Sequence, residues 1–259
     1  MPPETPSIST LIITNPDWFW SEEKFRQCLE SVSWTDEILI ATPTKPDHLI
    51  DIAQEYQAKV YIQSGKDFAS WRTGIAQKAK SDWLFYIDTD EMIPEDLKKE
   101  IQRDIASDHP KAAYAIPRSN VILGKAMRHG GWWPDYVVRL IQADKFQGYQ
   151  GELHEQPKIK GQVGHLHHYL LHLKHDNLEE MVEKTIHWSE IEGQLLLDAD
   201  HPVMNPRRFL RPMISEIFTR LIKKKGFIDG PEGVIDAIYQ GYSRFISYAK
   251  LWESQVSAE

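Results

Sequence analysis

The stretch Leu84-Phe85-Tyr86-Ile87-Asp88-Thr89-Asp90-Glu91 holds the residues whose types and spacing most plainly suggest chemistry. Four apolar or aromatic residues read as a buried strand, and they run into three acids within four positions. Carboxylates at the end of a strand point into the crevice where open α/β sheets bind ligands. Asp88 and Asp90 alternate with Thr89, so extended backbone puts both carboxylates on the same side. Two hard oxygen ligands side by side suit Mg²⁺ or Mn²⁺ carrying a diphosphate. The plain alternative is an acidic turn after a strand, because an Asp-x-Asp tripeptide is common by chance. A second group of candidate ligands is Gly164-His165-Leu166-His167-His168, followed by His172 and His175. These could equally form a surface histidine cluster, and no cysteine lies nearby to suggest a separate zinc site.

Strands and helices alternate around this stretch. Ile8 to Thr14 reads as a first strand ending at the Asn15-Pro16 turn signal. Glu22 to Val32 is helical, with Phe25, Cys28, Leu29 and Val32 on one face. Glu37 to Ala41 is a strand, Asp47 an N-cap for a helix over 48–56, and Lys59 to Ile62 a third strand. A helix from Phe68 to Lys80 leads to the strand Trp83–Ile87, and Pro94 at N1 starts a helix running to Ser107. This is the pattern of βαβ units in a doubly wound sheet. Four further strands are expected at Ala112–Pro117, Tyr136–Ile141, Gly151–His154 and Leu166–Leu173. From Leu178 the chain reads as helix, with Asn177 capping the first, Pro206 preceding the second, and Gly230-Pro231 opening the last, which reaches Trp252. The expected division is a catalytic domain over 1–176 and a helical region over 177–259.

Bulk properties narrow the function classes. The 259 residues carry a formal charge of −8, and the sequence pI is near 5.8, which argues against nucleic acid as a partner. A single cysteine, Cys28, makes no internal disulfide, which fits a reducing, cytoplasmic compartment. Met1 to Thr10 shows no basic-then-apolar signal pattern, and no run approaches the ~18 apolar residues of a membrane span.

Taken in order, several motifs resemble family-2 glycosyltransferases, especially the lipopolysaccharide core β-glucosyltransferase-like branch. They are Leu11-Ile12-Ile13-Thr14-Asn15, Cys28-Leu29-Glu30-Ser31-Val32, Asp88-Thr89-Asp90-Glu91 and Ile116-Pro117-Arg118. The set continues with His129-Gly130-Gly131-Trp132-Trp133-Pro134-Asp135, Val138-Arg139-Leu140, His154-Glu155 and Tyr248-Ala249-Lys250-Leu251-Trp252-Glu253. The resemblance implies a GT-A type nucleotide-diphospho-sugar transferase fold, a mixed sheet with a C-terminal helical annex. It also implies inverting transfer of a sugar, glucose in that branch, from a nucleoside diphosphate donor to a hydroxyl of an envelope glycan or glycolipid. Such a reaction needs a divalent ion to neutralise the leaving diphosphate, a base for the acceptor hydroxyl, and a site that holds both substrates in line.

By that resemblance Asp90 is the direct metal ligand, Asp88 faces ribose and metal, and His168 is the later ligand. Glu155 is the expected base and Asp135 the runner-up, whose plain alternative is turn capping after proline. Asn15, Asp17, Thr42 and Arg72 join Asp88 on the donor side. Trp132 and Trp133 are expected to stack on the acceptor, although large aromatics are also core residues. Arg139 is expected to pair with a phosphate or carboxylate of the acceptor, or with Asp135. Two positions depart from the pattern: Thr42 stands where an aspartate reads the nucleotide base, and Thr73 where an asparagine follows the arginine. UDP is the family's usual nucleotide and remains the expected one.

Between Arg207 and Lys225 seven basic residues face one acid, Glu216, with apolar residues at helical spacing. Such a helix reads as an anchor at an anionic membrane surface, making the protein peripheral on the inner face of the cytoplasmic membrane. The alternative is a stripe packed on the catalytic domain or a second copy, giving a homo-oligomer. Two rival functions stand beside the transferase. One is a nucleotidyltransferase, which would want a basic, glycine-rich loop after the first strand, where Asn15-Pro16-Asp17-Trp18 stands. The other is a retired transferase kept as a sugar-binding or membrane scaffold.

Overall fold

The computed structural model describes residues 6–17, 20–63, 67–151 and 155–257. Contacts divide the chain into two compact units, Met1–Arg118 with Tyr136–His172, and Ser119–Asp135 with Leu173–Glu259. The segment Ser119–Asp135 thus groups with the C-terminal helices, whereas the sequence suggests one boundary at 176.

The first unit opens with β1 (Ile8–Ile13), buried along its whole length, as a strand covered on both faces must be. Ser21 caps α1 (Glu22–Val32) by accepting from the Lys24 amide at 3.4 Å, and Phe25, Cys28, Leu29 and Val32 form the buried stripe. β2 (Glu37–Thr42), α2 (Asp47–Glu55), β3 (Lys59–Ile62) and α3 (Phe68–Ala76) follow as expected in kind. Pro46, not Asp47, occupies the N-cap of α2, and α3 ends four residues before Lys80, in successive turn bonds from Lys78 and Ala79. β4 (Trp83–Asp88) ends in the acidic turn, whose last acid lies in the short β5 (Glu91–Met92). Pro94 sits at the N-cap of α4 (Glu95–Ile105). β6 (Ala113–Ile122) runs through Pro117.

β7 (Lys125–Ala126) pairs with the end of β6, and β8 (Asp135–Gln142) returns antiparallel to β4. β9 (Phe146–Gln150) and β10 (Gln156–Ile159) make a separate two-stranded sheet. The strand expected at Gly151–His154 falls largely on 152–154, outside the described residues. Of the strand expected at Leu166–Leu173 only the second half is strand, in β12 (Leu170–His175), and β11 (Val163–His165) lies just before it. The break has a cause: the Glu100 carboxylate accepts from the amides of His167 at 3.0 Å and His168 at 2.8 Å, which takes that backbone out of the ladder. The main sheet has the order β3-β2-β1-β4-β8-β6-β12-β5. β1 to β4 are parallel, as the βαβ pattern predicts, and the antiparallel β8 makes the sheet mixed.

The second unit is built on α5 (Leu178–Asp198), α6 (Pro206–Phe218) and α7 (Pro231–Ser257). Asn177 and Asn205 cap the first two by accepting from Glu180 and Arg208 amides at 2.9 and 3.0 Å. A π-helical turn, Thr219–Lys223, continues α6. Buried Ile122, Met127 and Met181 pack with Leu123, Trp132 and Tyr239. Tyr239 donates to the Met181 carbonyl at 2.6 Å, joining α7 to α5. α6 approaches α7 so closely at Gly241 that an added Cβ would lie 2.4 Å from Ile217 Cγ1 and 3.1 Å from the Met213 carbonyl. Gly241→Ala is therefore expected to cost about 1–3 kcal/mol by overpacking, read from urea unfolding. An unchanged midpoint would mean that the two helices are not so tightly apposed.

Candidate active site

The acidic turn separates its three carboxylates by environment. Asp88 Oδ1 accepts from Arg72 Nη2 of α3 at 2.8 Å, and Oδ2 accepts from Arg139 Nη2 of β8. The same Arg139 nitrogen donates to Glu91 Oε1 at 2.5 Å, while Glu91 Oε2 accepts from the Asp88 amide at 3.0 Å. Glu91 is fully buried, and Arg118 Nη1 lies 3.6 Å from its Oε1. Burial opposes ionisation of Asp88, but the Arg139 and Arg72 guanidiniums outweigh it and hold the carboxyl well below the usual carboxylate range. The second aspartate goes elsewhere. Thr89 and Asp90 form a turn, so the two aspartates do not share a side by strand alternation as the sequence suggested. Asp90 Oδ2 lies 3.5 Å from His172 Nε2 of β12.

Arg72 is held from several directions. Its carbonyl accepts from Tyr86 Oη at 2.8 Å, and its guanidinium lies 5.6 Å from the Tyr149 ring centroid. Thr73, the departure from the family pattern, has a positioning role: its Oγ1 accepts from the Tyr149 amide at 2.9 Å, tying β9 to α3. Burial pushes the Tyr149 phenol up to about 12. Two buried guanidinium nitrogens, Arg72 Nη1 and Arg139 Nε, find no hydrogen-bond partner among the described residues. A buried donor left in that way is costly unless something else accepts from it. Beneath the turn, Cys28 Sγ donates to the Asp88 carbonyl at 3.4 Å, and burial, with Glu91, Asp90 and Asp88 nearby, pushes its thiol up.

The remaining expected residues scatter more widely. Asn15 Oδ1 accepts from the Asp17 amide at 3.1 Å, a local turn at the end of β1. Thr42 is fully buried, and its hydroxyl donates to the Thr44 carbonyl at 2.7 Å. Glu155 is partly buried, and burial pushes its carboxyl above the usual range, with Arg72 opposing the shift and Asp88 adding to it. His168 is engaged with Glu100, its Nδ1 3.0 Å from Oε2, so the histidine beside Asp90 is His172. Arg139, expected on the acceptor side, is buried with Asp88 and Glu91 in the first unit. Glu91 stands in the acidic turn that the sequence points to but is given no role there, and Tyr149 stands in no motif. Pairing of His172 with Glu91 across β12 and β5 is the register that brings this histidine to the turn.

Asp135, Trp132 and Trp133 belong to the second unit. Asp135 Oδ2 accepts from Asn120 Nδ2 at 3.0 Å. Trp132 Nε1 donates to buried Asp236 at 2.7 Å, with Arg220 4.9 Å and Lys174 5.4 Å from the indole centroid. Arg128 lies 4.4 Å from the Trp133 centroid. Among the described residues, no group of three or more His, Cys, Asp or Glu is arranged to hold a metal ion.

Comparison with known proteins adds a family. The pattern of "Glycosyl transferase family 2" matches residues 19–171. An uncharacterized glycosyltransferase of Rickettsia conorii is 22% identical over 268 residues, covering 98% of this chain and 93% of that one. The lipopolysaccharide core biosynthesis glycosyltransferase LpsC of Rhizobium meliloti is 21% identical, covering 98% of this chain and 94% of its own. Among solved structures, S. aureus TarS 1-349 in complex with UDP-GlcNAc is 11% identical with a TM-score of 0.45, covering 98% of this chain and 92% of that chain. A longer S. aureus TarS chain is 12% identical with a TM-score of 0.46 over 95% of this chain, which spans 54% of its length.

The buried network yields one stability expectation. Removing the guanidinium in Arg139→Ala leaves Glu91 buried with a weakened set of partners, a loss of about 3–5 kcal/mol. In a double-mutant cycle by chemical denaturation, Arg139→Met and Glu91→Leu together should cost at least about 1 kcal/mol less than the sum of the single changes. Additive losses would dissolve the assigned pair.

Proposed function

The chain belongs to glycosyl transferase family 2 and has the GT-A type fold, and from that membership we propose an inverting, metal-assisted hexosyltransferase that takes its sugar from a UDP-sugar, glucose by preference. The acceptor in this reading is a hydroxyl of an envelope glycan or glycolipid, reached by a cytoplasmic enzyme at the inner face of the membrane. One observation carries the reading: two arginines take up Asp88, and the next acid, Asp90, lies 3.5 Å from His172 Nε2. A hard carboxylate with a borderline imidazole is a donor set that suits Mn²⁺ better than Mg²⁺, which keeps to oxygen ligands. When bound, the ion would neutralise charge on the leaving diphosphate.

The other steps fall to the chain's own groups. Arg72 offers its unpartnered buried Nη1 to a phosphate oxygen, a charge-assisted hydrogen bond that orients the donor. Arg139 keeps Asp88 and Glu91 in place, and Asp88 in turn holds Arg72. Glu155 takes the acceptor proton as the hydroxyl oxygen attacks the anomeric carbon and the bond to the diphosphate oxygen breaks. Its raised pKa makes it a stronger base than an ordinary carboxylate. Asp135 is the less favoured base, since Asn120 already donates to it. His172 is preferred over His168 as the metal ligand because His168 is spent on Glu100. Thr42 offers the nucleotide base no carboxylate, and Asn15 and Asp17 are the donor-side groups of this reading.

Donor turnover under Mn²⁺ titration tests the metal assignment. Asp90→Ala should abolish turnover, and His172→Ala should raise the Mn²⁺ requirement more than about tenfold, with His168→Ala near wild type. Full activity of Asp90→Ala would remove the metal site from this turn. A second expectation concerns pH. A base with a raised pKa is protonated and idle at low pH, so kcat/KM should climb with pH along a limb lying above the ~4.3 of a free glutamate. Glu155→Gln should lose about 10²–10⁴-fold in rate and flatten that limb. Retention of the limb in Glu155→Gln would move the base elsewhere, Asp135 first.

A further inference from the structure

We propose that the outward face of α6, with the turn that follows it, is a docking surface for an anionic lipid bilayer. Leu210, Ile214, Phe218 and Ile222 recur every fourth residue and are 50%, 57%, 50% and 49% exposed. Residues at that spacing form one ridge along a helix. The packing side of the helix is a different one: Ile217 lies against Gly241, and the Phe209 ring is 6.0 Å from that of Phe245 on α7. The ridge leads to Phe227 and Ile228, each 52% exposed, just past Lys223, Lys224 and Lys225. Exposed large apolar side chains in such a row mark an interaction surface rather than scattered surface residues.

Charge selects the partner. Arg207, Arg208, Arg211, Lys223, Lys224 and Lys225 are exposed beside this ridge, on a chain whose formal charge is −8. Glu216, the lone acid of the stretch, is paired with Arg220 at 2.6 Å, and Arg220 also donates to the Gly130 carbonyl at 3.2 Å. The ridge therefore presents apolar side chains edged by cations without a facing acid from its own helix. A two-fold contact with a second copy would set these cations against themselves, a like-charge arrangement that costs free energy. An anionic bilayer satisfies both features, taking the apolar side chains into its interface and the cations among its headgroups. No helix among the described residues is long and apolar enough to cross a membrane, so the contact lies in the plane of the surface.

The inference builds on the transferase reading only in bringing a lipid-borne acceptor within reach. Co-sedimentation of the full chain with vesicles tests it, using phosphatidylcholine alone and phosphatidylcholine with roughly a third phosphatidylglycerol. Binding to the anionic vesicles should exceed binding to the neutral ones at least tenfold, to about that order, and should fall as salt rises. Phe218→Ser with Ile222→Ser, and separately Arg207→Gln with Arg211→Gln and Lys223→Gln, should each weaken binding about tenfold with unchanged circular dichroism. Equal binding to both vesicle types, binding to neither, or variants that bind like the wild type would overturn the proposal. A dimer by light scattering that Phe218→Ser with Ile222→Ser dissociates would instead assign the face to a second copy. Donor turnover without vesicles is read separately, so failure of the docking face and failure of the transferase reading are distinguishable.

Discussion

The working end of the first unit depends on one guanidinium. Arg139 compensates Asp88 and Glu91 together, and Glu91 has no exposure to water. Two carboxylates so close in a low-dielectric interior would repel strongly, and one would give up its charge. A planar guanidinium answers this better than an ammonium, because it spreads charge over several fixed donors. The sheet delivers it: β8 runs antiparallel to β4 with Leu140 opposite Phe85, which brings Arg139 up beside the end of β4. Arg72 completes the balance from α3, so Asp88 and Glu91 are matched by two buried cations.

That balance explains why three neighbouring acids do not act alike. Asp88 and Glu91 are taken up by arginines, while Asp90, in the turn, lies 3.5 Å from His172 Nε2. The arrangement also makes Asp88 an organiser of Arg72 before it is anything else, since its Oδ1 fixes one guanidinium nitrogen while another has no partner among the described residues. A diphosphate meeting this turn would thus find an arginine already oriented, with little side-chain entropy left to lose on binding.

How much of this could be read from sequence depends on range. The parallel strands β1 to β4 were legible because near-continuous apolar runs alternated with helical stripes, and the acidic turn because it closed the last run. The bond from Arg139 to Asp88 was not legible, since it joins residues 51 apart through a strand register that periodicity cannot supply. The histidines show the same limit. His168 and His172 are both plausible by composition, and the choice rests on Glu100 pulling the 167–168 backbone out of the ladder and on the register that sets His172 opposite Glu91. Thr73 was visible as a departure, but its hydrogen bond to the Tyr149 amide needed the fold. The aspartate pair was misjudged on one physical point: alternation along a strand was extended through Thr89 and Asp90, where the backbone turns.

The chain's two sets of cations differ in kind because of burial. Arg72 and Arg139 are enclosed and matched by carboxylates at hydrogen-bond distance, so dissolved salt screens them little. The cations around α6 stand in water, where ions at physiological strength damp their field within about 8 Å. The first set therefore has a fixed geometry and can orient a ligand, while the second has reach but little directional demand. A small, multiply charged donor needs the former. A broad anionic surface, whose headgroups move freely, is better met by the latter, and the exposed ridge beside it adds the apolar contact that charge alone would lack.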